Sequence, residues 1–319
     1  MVRPPRVQVS TQSGVTADCR QRPFLPRSRF RQWLSASVLL LSLLFVATPA
    51  LAQERLSVRW EPRVVRQGDV AMVFVTGVPN GKSVEGRLEK QPLSFFPYSD
   101  GYAALTGVDV EVKPGALAWR VETLDGRKPV KVVGTLQVKE RKFPIQRLTL
   151  PKEMVELDEP TERRALAEAT RLSALWGGGL PERLWKGRFM LPIDSVSEGS
   201  GFGARRIIND LPRSPHGGTD YSVDSGTPVH ASNRGVVALV DEMFFPGRLV
   251  IIDHGFGLFT LYFHLSAVDV ENGQLVDKGQ QIGRVGATGR STGPHLHFGV
   301  QLRHARLDPE TLLQLKLPE

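Results

Sequence analysis

The sequence predicts a mainly β protein: a small N-terminal β-sandwich, a helical linker and a C-terminal antiparallel β domain. Three observations predict it. Short apolar runs rich in Val, Ile, Phe and Thr recur along the chain, separated by Gly, Pro, Asn-Gly and Asp-Gly turn signals. One stretch alone, 158–176, combines a helix start, strong helix formers and a glycine stop. All seven histidines fall at position 216 or beyond, which puts the chemistry in the last third of the chain.

The 319 residues suffice for two domains by the usual figure of roughly 100–200 each. Residues 1–52 read as an export signal. "RFRQW" closes a basic segment, "SVLLLSLLFVA" (37–47) is an apolar run of secretory length, and Ala50 and Ala52 supply an A-x-A cleavage pattern. The run is short of the ~20 residues a membrane span needs, so no stable span is expected after cleavage. Of the 41 basic and 33 acidic residues, 7 and 1 lie in this leader, which leaves 34 and 32 for the rest. The pI of 9.8 is therefore a property of the leader, and the nearly neutral body lacks the electrostatic footprint of a nucleic-acid binder. The single cysteine, Cys19, also lies in the leader. Cysteine catalysis and zinc–thiolate sites are excluded from the body.

Residues 53–148 are expected to form the sandwich, from about seven strands. "LSVRW", "VAMVFVTGV", "YAALTGVDVEV", "AWRVETL" and "VKVVGTLQV" alternate or run apolar, punctuated by "PNGK", "SDG", "KPGA" and "LDGR". Residues 149–187 are the linker. Asp158 or Glu159 can cap its helix, Pro160 suits the first turn, and "GGG" at 177–179 stops it. Residues 188–319 are the C-terminal domain, with strands at "TPVHAS", "GVVALVD", "RLVIIDHG", "LFTLYFHLS", "QQIGRVG" and "HLHFGVQL". The absence of a long helix pattern to carry parallel crossovers within it predicts an all-antiparallel sheet.

Three elements of this domain carry the candidate site. In "GPHLHFGV", His295 and His297 are i and i+2 on a strand and share a face, roughly 7 Å apart at 3.3–3.4 Å per residue. In "SPHGGTDYSV", Gly217 and Gly218 argue against a helix, so His216 and Asp220 belong to a flexed segment entering a strand. His216, Asp220 and one further histidine make three protein ligands with an open fourth position, the arrangement of catalytic zinc. In "LFTLYFHLS", His264 ends an apolar strand as a second proton-handling candidate. His230, His254 and His304 read as turn or rim residues. "GSGFG" (199–203) lacks the βαβ frame of a dinucleotide loop. Gly286, Gly289 and Gly293 shape the approach to the H-x-H strand, Asp224 and Asp253 are weak candidates for supporting groups, and Arg205 and Arg206 could meet a substrate carboxylate but read more simply as a solvated pair.

"HGGTD", "YFHLS" and "GPHLHFGV", in this order, resemble the lysostaphin/LytM-type zinc endopeptidases, whose patterns are H-x-G-x-D, Y-x-H-L and H-x-H. "GFGARR", "GTPVHAS", "VIIDHGFGLFTLYFHLS" and "KGQQIGRVGATGRSTGPHLHF" extend the likeness over about 188–305. The resemblance implies one Zn²⁺ per chain on His216, Asp220 and His297, with His264 and His295 as catalytic non-ligand histidines. It also implies a C-terminal metallopeptidase domain that cuts peptide cross-links of bacterial peptidoglycan; the export signal, the cysteine-free body and the extra β domain point to the periplasm or cell envelope. One departure is Phe263, where a small residue often precedes the histidine. The competing expectation is a non-enzymatic zinc-binding envelope module that regulates a partner hydrolase. A regulatory protein partner is compatible with either.

Overall fold

The computed structural model describes residues 55–79, 82–124, 129–194 and 201–318. The export signal expected at 1–52 lies outside the described residues, as do parts of the "PNGK" and "LDGR" turns. No helix among the described residues is long and apolar enough to cross a membrane.

The N-terminal strands are β1 (Ser57–Glu61), β2 (Val64–Arg66), β3 (Val70–Thr76), β4 (Ser83–Leu88), β5 (Gln91–Pro92), β6 (Phe96–Tyr98), β7 (Gly101–Gly107), β8 (Gly115–Leu124) and β9 (Lys131–Lys139). They make two sheets, β1-β3-β7-β6 and β2-β9-β8-β4-β5. Alternate residues of both sheets meet in one core of Trp60, Val65, Val73, Leu88, Ala104 and Leu136, the packing of a sandwich. The strand expected over 102–112 ends early, at Gly107. Asp109 makes a turn there by accepting the Glu111 N–H on its side chain, a local bond that competes with the sheet ladder. Val108 and Val110 are nonetheless buried, so the apolar alternation was real but belonged to a packed turn.

After β10 (Ile145–Leu148) and a short 3₁₀ turn (Lys152–Met154) comes α1 (Glu159–Trp176). The Asp158 side chain accepts the Thr161 N–H, and Pro160 sits in the first turn, as the capping signals anticipated. The next strand, β11 (Arg205–Ile208), pairs with β10 in parallel. The linker helix itself lies in the connection between β10 and β11, a connection of the length parallel pairing needs, and with β12 the pair makes a small sheet separate from the antiparallel sheet expected for the C-terminal domain. β11 then turns through Asn209 and Asp210, both at positive φ, into β12 (Leu211–Pro212).

The remaining strands are β13 (Gly218–Tyr221), β14 (Pro228–His230), β15 (Gly235–Met243), β16 (Gly247–Asp253), β17 (Leu258–Val268), β18 (Leu275–Val276), β19 (Gln281–Val285), β20 (Leu296–Leu302) and β21 (Ala305–Leu307), followed by α2 (Pro309–Gln314). They form one antiparallel sheet in the order β13-β20-β17-β16-β15-β18, with β14-β19 on β17 and β21 on β20. One face buries Tyr221, Val250, Ile252, Tyr262, Phe298 and Val300 in the main core. On the opposite face Leu249, Ile251, Phe259 and Leu261 are covered by Leu172, Leu175 and Trp176 of α1. Because strand side chains alternate between faces, His297 and Asp220 project on that second face, beside the helix.

Candidate metal and active site

β13 and β20 place Asp220 directly opposite His297 in antiparallel register, so the two side chains start side by side. His216 lies two residues before β13, where its own N–H and C=O bond Ala204 and Gly203. The donor atoms converge. His297 Nδ1 is 2.8 Å from Asp220 Oδ1 and 2.9 Å from His216 Nε2, and His216 Nε2 is 3.1 Å from Asp220 Oδ1. A tetrahedral zinc ion with bonds of about 2.0–2.2 Å holds its donors roughly 3.3–3.5 Å apart, so a few tenths of an ångström of opening admits one. Two imidazole nitrogens and a carboxylate oxygen are the donor chemistry such an ion takes.

The triad is graded in exposure: His216 is 4% exposed, while the Asp220 side chain is 21% exposed. Burial drives the His216 pKa down to about 4 and keeps the ring neutral, as a ligand must be. Burial alone would raise the Asp220 pKa, but hydrogen bonds from His216 and His297 outweigh it and hold the carboxyl well below the usual range. The second carboxylate oxygen, Oδ2, accepts from Arg206 at 3.0 Å, and Arg206 Nε donates to Gln146 at 3.0 Å. Arg206 is therefore neither solvated nor free for substrate. It supports the triad from the parallel β10–β11 pair, a role with no local signal in the chain.

His264 and His295 border the triad. Side chains alternate along a strand, so Phe263 and His264 should point to opposite faces. His264 instead sits at φ +63°, beside a bulge in β17, and its ring reaches within 4.7 Å of the His295 ring centroid and 6.1 Å of the His297 centroid. His264 Nδ1 donates to Thr288 O at 2.8 Å, and His295 Nδ1 donates to Gly293 O at 2.9 Å. Each bond fixes the tautomer and leaves Nε2 as the free acceptor. Burial first, then the neighbouring His297 and His295, lowers the His264 pKa to about 3, so the ring is neutral at ordinary pH. His295 Nε2 lies 3.8 Å from Asp220 Oδ1.

Phe263, the departure from the family pattern, stacks on His297 at 5.2 Å and 11° and holds that ring against β17. The other histidines lie elsewhere. His254 is fully buried between Arg234 O (2.8 Å) and Thr260 Oγ1 (2.7 Å). His230 is in β14, and His304 is exposed beyond β20. Asp253 receives the Leu180 and Gly255 N–H groups, which ties down the linker, and the Asp224 backbone accepts Thr227 in a turn; neither supports the site. Arg205 is exposed near Glu111.

The same segment of chain is shared with known proteins. Residues 214–309 match Peptidase family M23. The peptidoglycan DD-endopeptidase ShyA of Vibrio cholerae is 44% identical over 114 residues, 35% of this chain and 26% of that protein. The DD-carboxypeptidase/endopeptidase Mpg of Neisseria meningitidis is 43% identical over 104 residues, 33% of this chain and 24% of that protein. The chain thus spans about a quarter of the length of these curated relatives. A solved structure of a peptidase M23 from Pseudomonas aeruginosa covers 78% of this chain and 94% of its own, at 28% identity and a TM-score of 0.59. With the matched segment enclosing every residue of the histidine–aspartate site, residues 214–309 of this chain belong to Peptidase family M23.

Proposed function

We propose that the chain is an exported zinc-dependent endopeptidase that hydrolyses peptide cross-links of bacterial peptidoglycan. The observation that carries this reading is the convergence of three ligand-type atoms beside two histidines whose Nε2 atoms are free. The substrate class comes from the relatives, which are named as peptidoglycan DD-endopeptidases and a DD-carboxypeptidase/endopeptidase. An envelope location fits that substrate and the signal read at 1–52.

His216 Nε2, His297 Nδ1 and an Asp220 oxygen would hold the ion, and Arg206 would fix the carboxylate so that Oδ1 faces it. When bound, zinc supplies Lewis acidity, which acidifies a water and polarises the scissile carbonyl. His264, held neutral, accepts the hydrogen bond that orients the attacking water. His295 is the proton carrier in this reading: its Nε2 faces the Asp220 carboxylate at 3.8 Å, and it is less deeply buried than His264. It takes the proton from the water and returns it to the leaving amine. The cleft, about 470 Å³, is walled by Leu172, Phe245, Leu261 and Phe263, which suits an extended peptide.

The test is a metal analysis joined to a muropeptide digest. One zinc per chain and release of cross-linked muropeptides that stops on chelation and returns with zinc are expected. Stoichiometric zinc without any cleavage would leave a binding module and remove the hydrolytic assignment.

A further inference from the structure

Four guanidinium groups line the cleft beside the triad: Arg206, Arg213, Arg290 and Arg306. Two are neutralised. Arg206 pairs with Asp220 at 3.0 Å, and Arg306 pairs with Asp109 at 2.9 Å and Glu111 at 2.6 Å. The other two have no carboxylate partner among the described residues. Arg213 donates to a backbone carbonyl, Val155 O, at 3.3 Å, and the Arg290 guanidinium lies over the Phe245 ring at 4.2 Å. No acidic side chain among the described residues lines the cleft.

Both residues are also held in place. The Arg213 N–H bonds Arg206 O just after the tight turn at Asn209–Asp210. The Arg290 N–H bonds Phe245 O, and Gly289 before it lies against Gly247 so closely that an added Cβ would sit 2.2 Å from Gly247 N. Arg290 is half-buried, and desolvation followed by repulsion from Arg213 and Arg206 lowers its pKa. A partly desolvated cation with no counter-charge and restricted freedom is costly in the free protein. An anion that arrives with the ligand removes that cost.

We propose that Arg213 and Arg290 form a carboxylate-binding subsite that selects an acidic peptide, one with a free carboxylate beside the scissile bond. The inference rests on the endopeptidase reading and narrows its substrate. Guanidinium groups suit the task because they bind carboxylates through paired N–H donors.

The experiment compares twin cross-linked peptides, identical except that one has its side carboxylates amidated. kcat/KM on both is measured for the wild type, for the double variant Arg213→Gln/Arg290→Gln and for Arg213→Lys/Arg290→Lys. The wild type should favour the carboxylate twin by roughly 10- to 100-fold, the usual range for hydrogen bonds to charged groups. The Gln pair should bring the ratio toward one, and the Lys pair should retain part of it. Using the ratio cancels any general loss of folded enzyme. A wild type indifferent to amidation, or a Gln pair that keeps the preference, overturns the subsite while leaving the hydrolytic reading intact. If the wild type cleaves neither twin, the hydrolytic reading falls. Calorimetric binding of the twins to the same proteins then decides the subsite: a carboxylate preference lost in the Gln pair upholds it, and equal binding overturns it.

Discussion

A Cβ at Gly218 would lie 2.7 Å from His297 Nε2 and 2.5 Å from Phe298 O. The glycine of the H-x-G-x-D pattern is therefore present to let β20 approach, and Gly218→Ala must displace either the strand or the His297 ring. Zinc affinity, measured by competition with a chelator of known strength, should weaken roughly 10- to 100-fold, as when groups that orient a ligand are disturbed. Unchanged affinity would mean that the ladder absorbs the methyl elsewhere. His264 and His297 should separate cleanly. His297→Ala is expected to lose both metal and hydrolysis. His264→Ala should keep one zinc per chain and lose roughly 10²–10⁴-fold in kcat/KM, the usual worth of a proton-handling or water-orienting group. Zinc analysis beside kinetics reads the difference. Side-chain chemistry and strand spacing brought these five positions forward as candidates in the sequence, and it was the family resemblance that divided them into ligands and non-ligand histidines. The role of Arg206 was not legible: which carboxylate an arginine meets depends on β10 and β11 lying in parallel, a non-local fact.

The loop from Gly286 to Arg290 is the element that sets His264. Thr288 O accepts His264 Nδ1, Thr288 Oγ1 donates to Leu265 O and accepts the Arg248 N–H, and Gly289, at φ +72°, is pressed against Gly247. Gly289→Ala adds both a strained φ and a clash, so the loop must shift and the His264 tautomer loses its anchor. The expected result is a kcat lower by about tenfold or more, a part of what a positioned proton-handling group contributes, with zinc stoichiometry intact. A variant that loses zinc instead would show that the loop supports the triad and not His264. Elements of this kind divide by how local their causes are. α1 was readable from Asp158, Pro160 and the glycine stop, and the long strands from their alternation, because each signal lies within the element. The left-handed turn at His264 was hidden, since period-two reasoning places Phe263 and His264 on opposite faces and only the bulge in β17 brings both to the cleft. The parallel β10–β11 pair was hidden because its partners are separated by the whole linker.

At the scale of the whole molecule, acid and truncation probe the same packing from different sides. His254 is buried and neutral, with its folded pKa lowered to about 4 by desolvation. The unfolded chain, with a histidine pKa near 6.5, binds a proton that the folded chain refuses, so stability is full above about pH 6.5 and is lost as pH falls toward 4. Between pH 7 and 5 this one group should remove about 2 kcal/mol of unfolding free energy, and His254→Gln should flatten the slope in chemical denaturation. His216 and His264 act in the same direction when metal is absent. Truncation exposes a larger dependence. Val70, Met72, Phe96 and Ala103 of the sandwich share one core with Trp185, Phe189, Leu302 and Leu307. Around it Val70 N–H donates to Thr311 Oγ1, Asp308 N–H to Gly68 O, and Arg141 pairs with Asp308 at 2.6 Å. Residues 180–319 alone would uncover that apolar face and would also lose α1 from Leu261, which lines the cleft. At about 1.5–3 kcal/mol for each large apolar side chain returned to water, the piece gives up several kcal/mol. With a shift of about 2–4 °C per kcal/mol for a domain of this size, it should melt on the order of 10 °C or more below residues 53–319 and self-associate through the bared face. A truncated piece that stays monomeric and melts with the longer chain would show that the sandwich contributes little to the fold of the catalytic half, and would leave Arg306, anchored to Asp109 and Glu111 across the same boundary, as the sandwich's remaining link to the cleft.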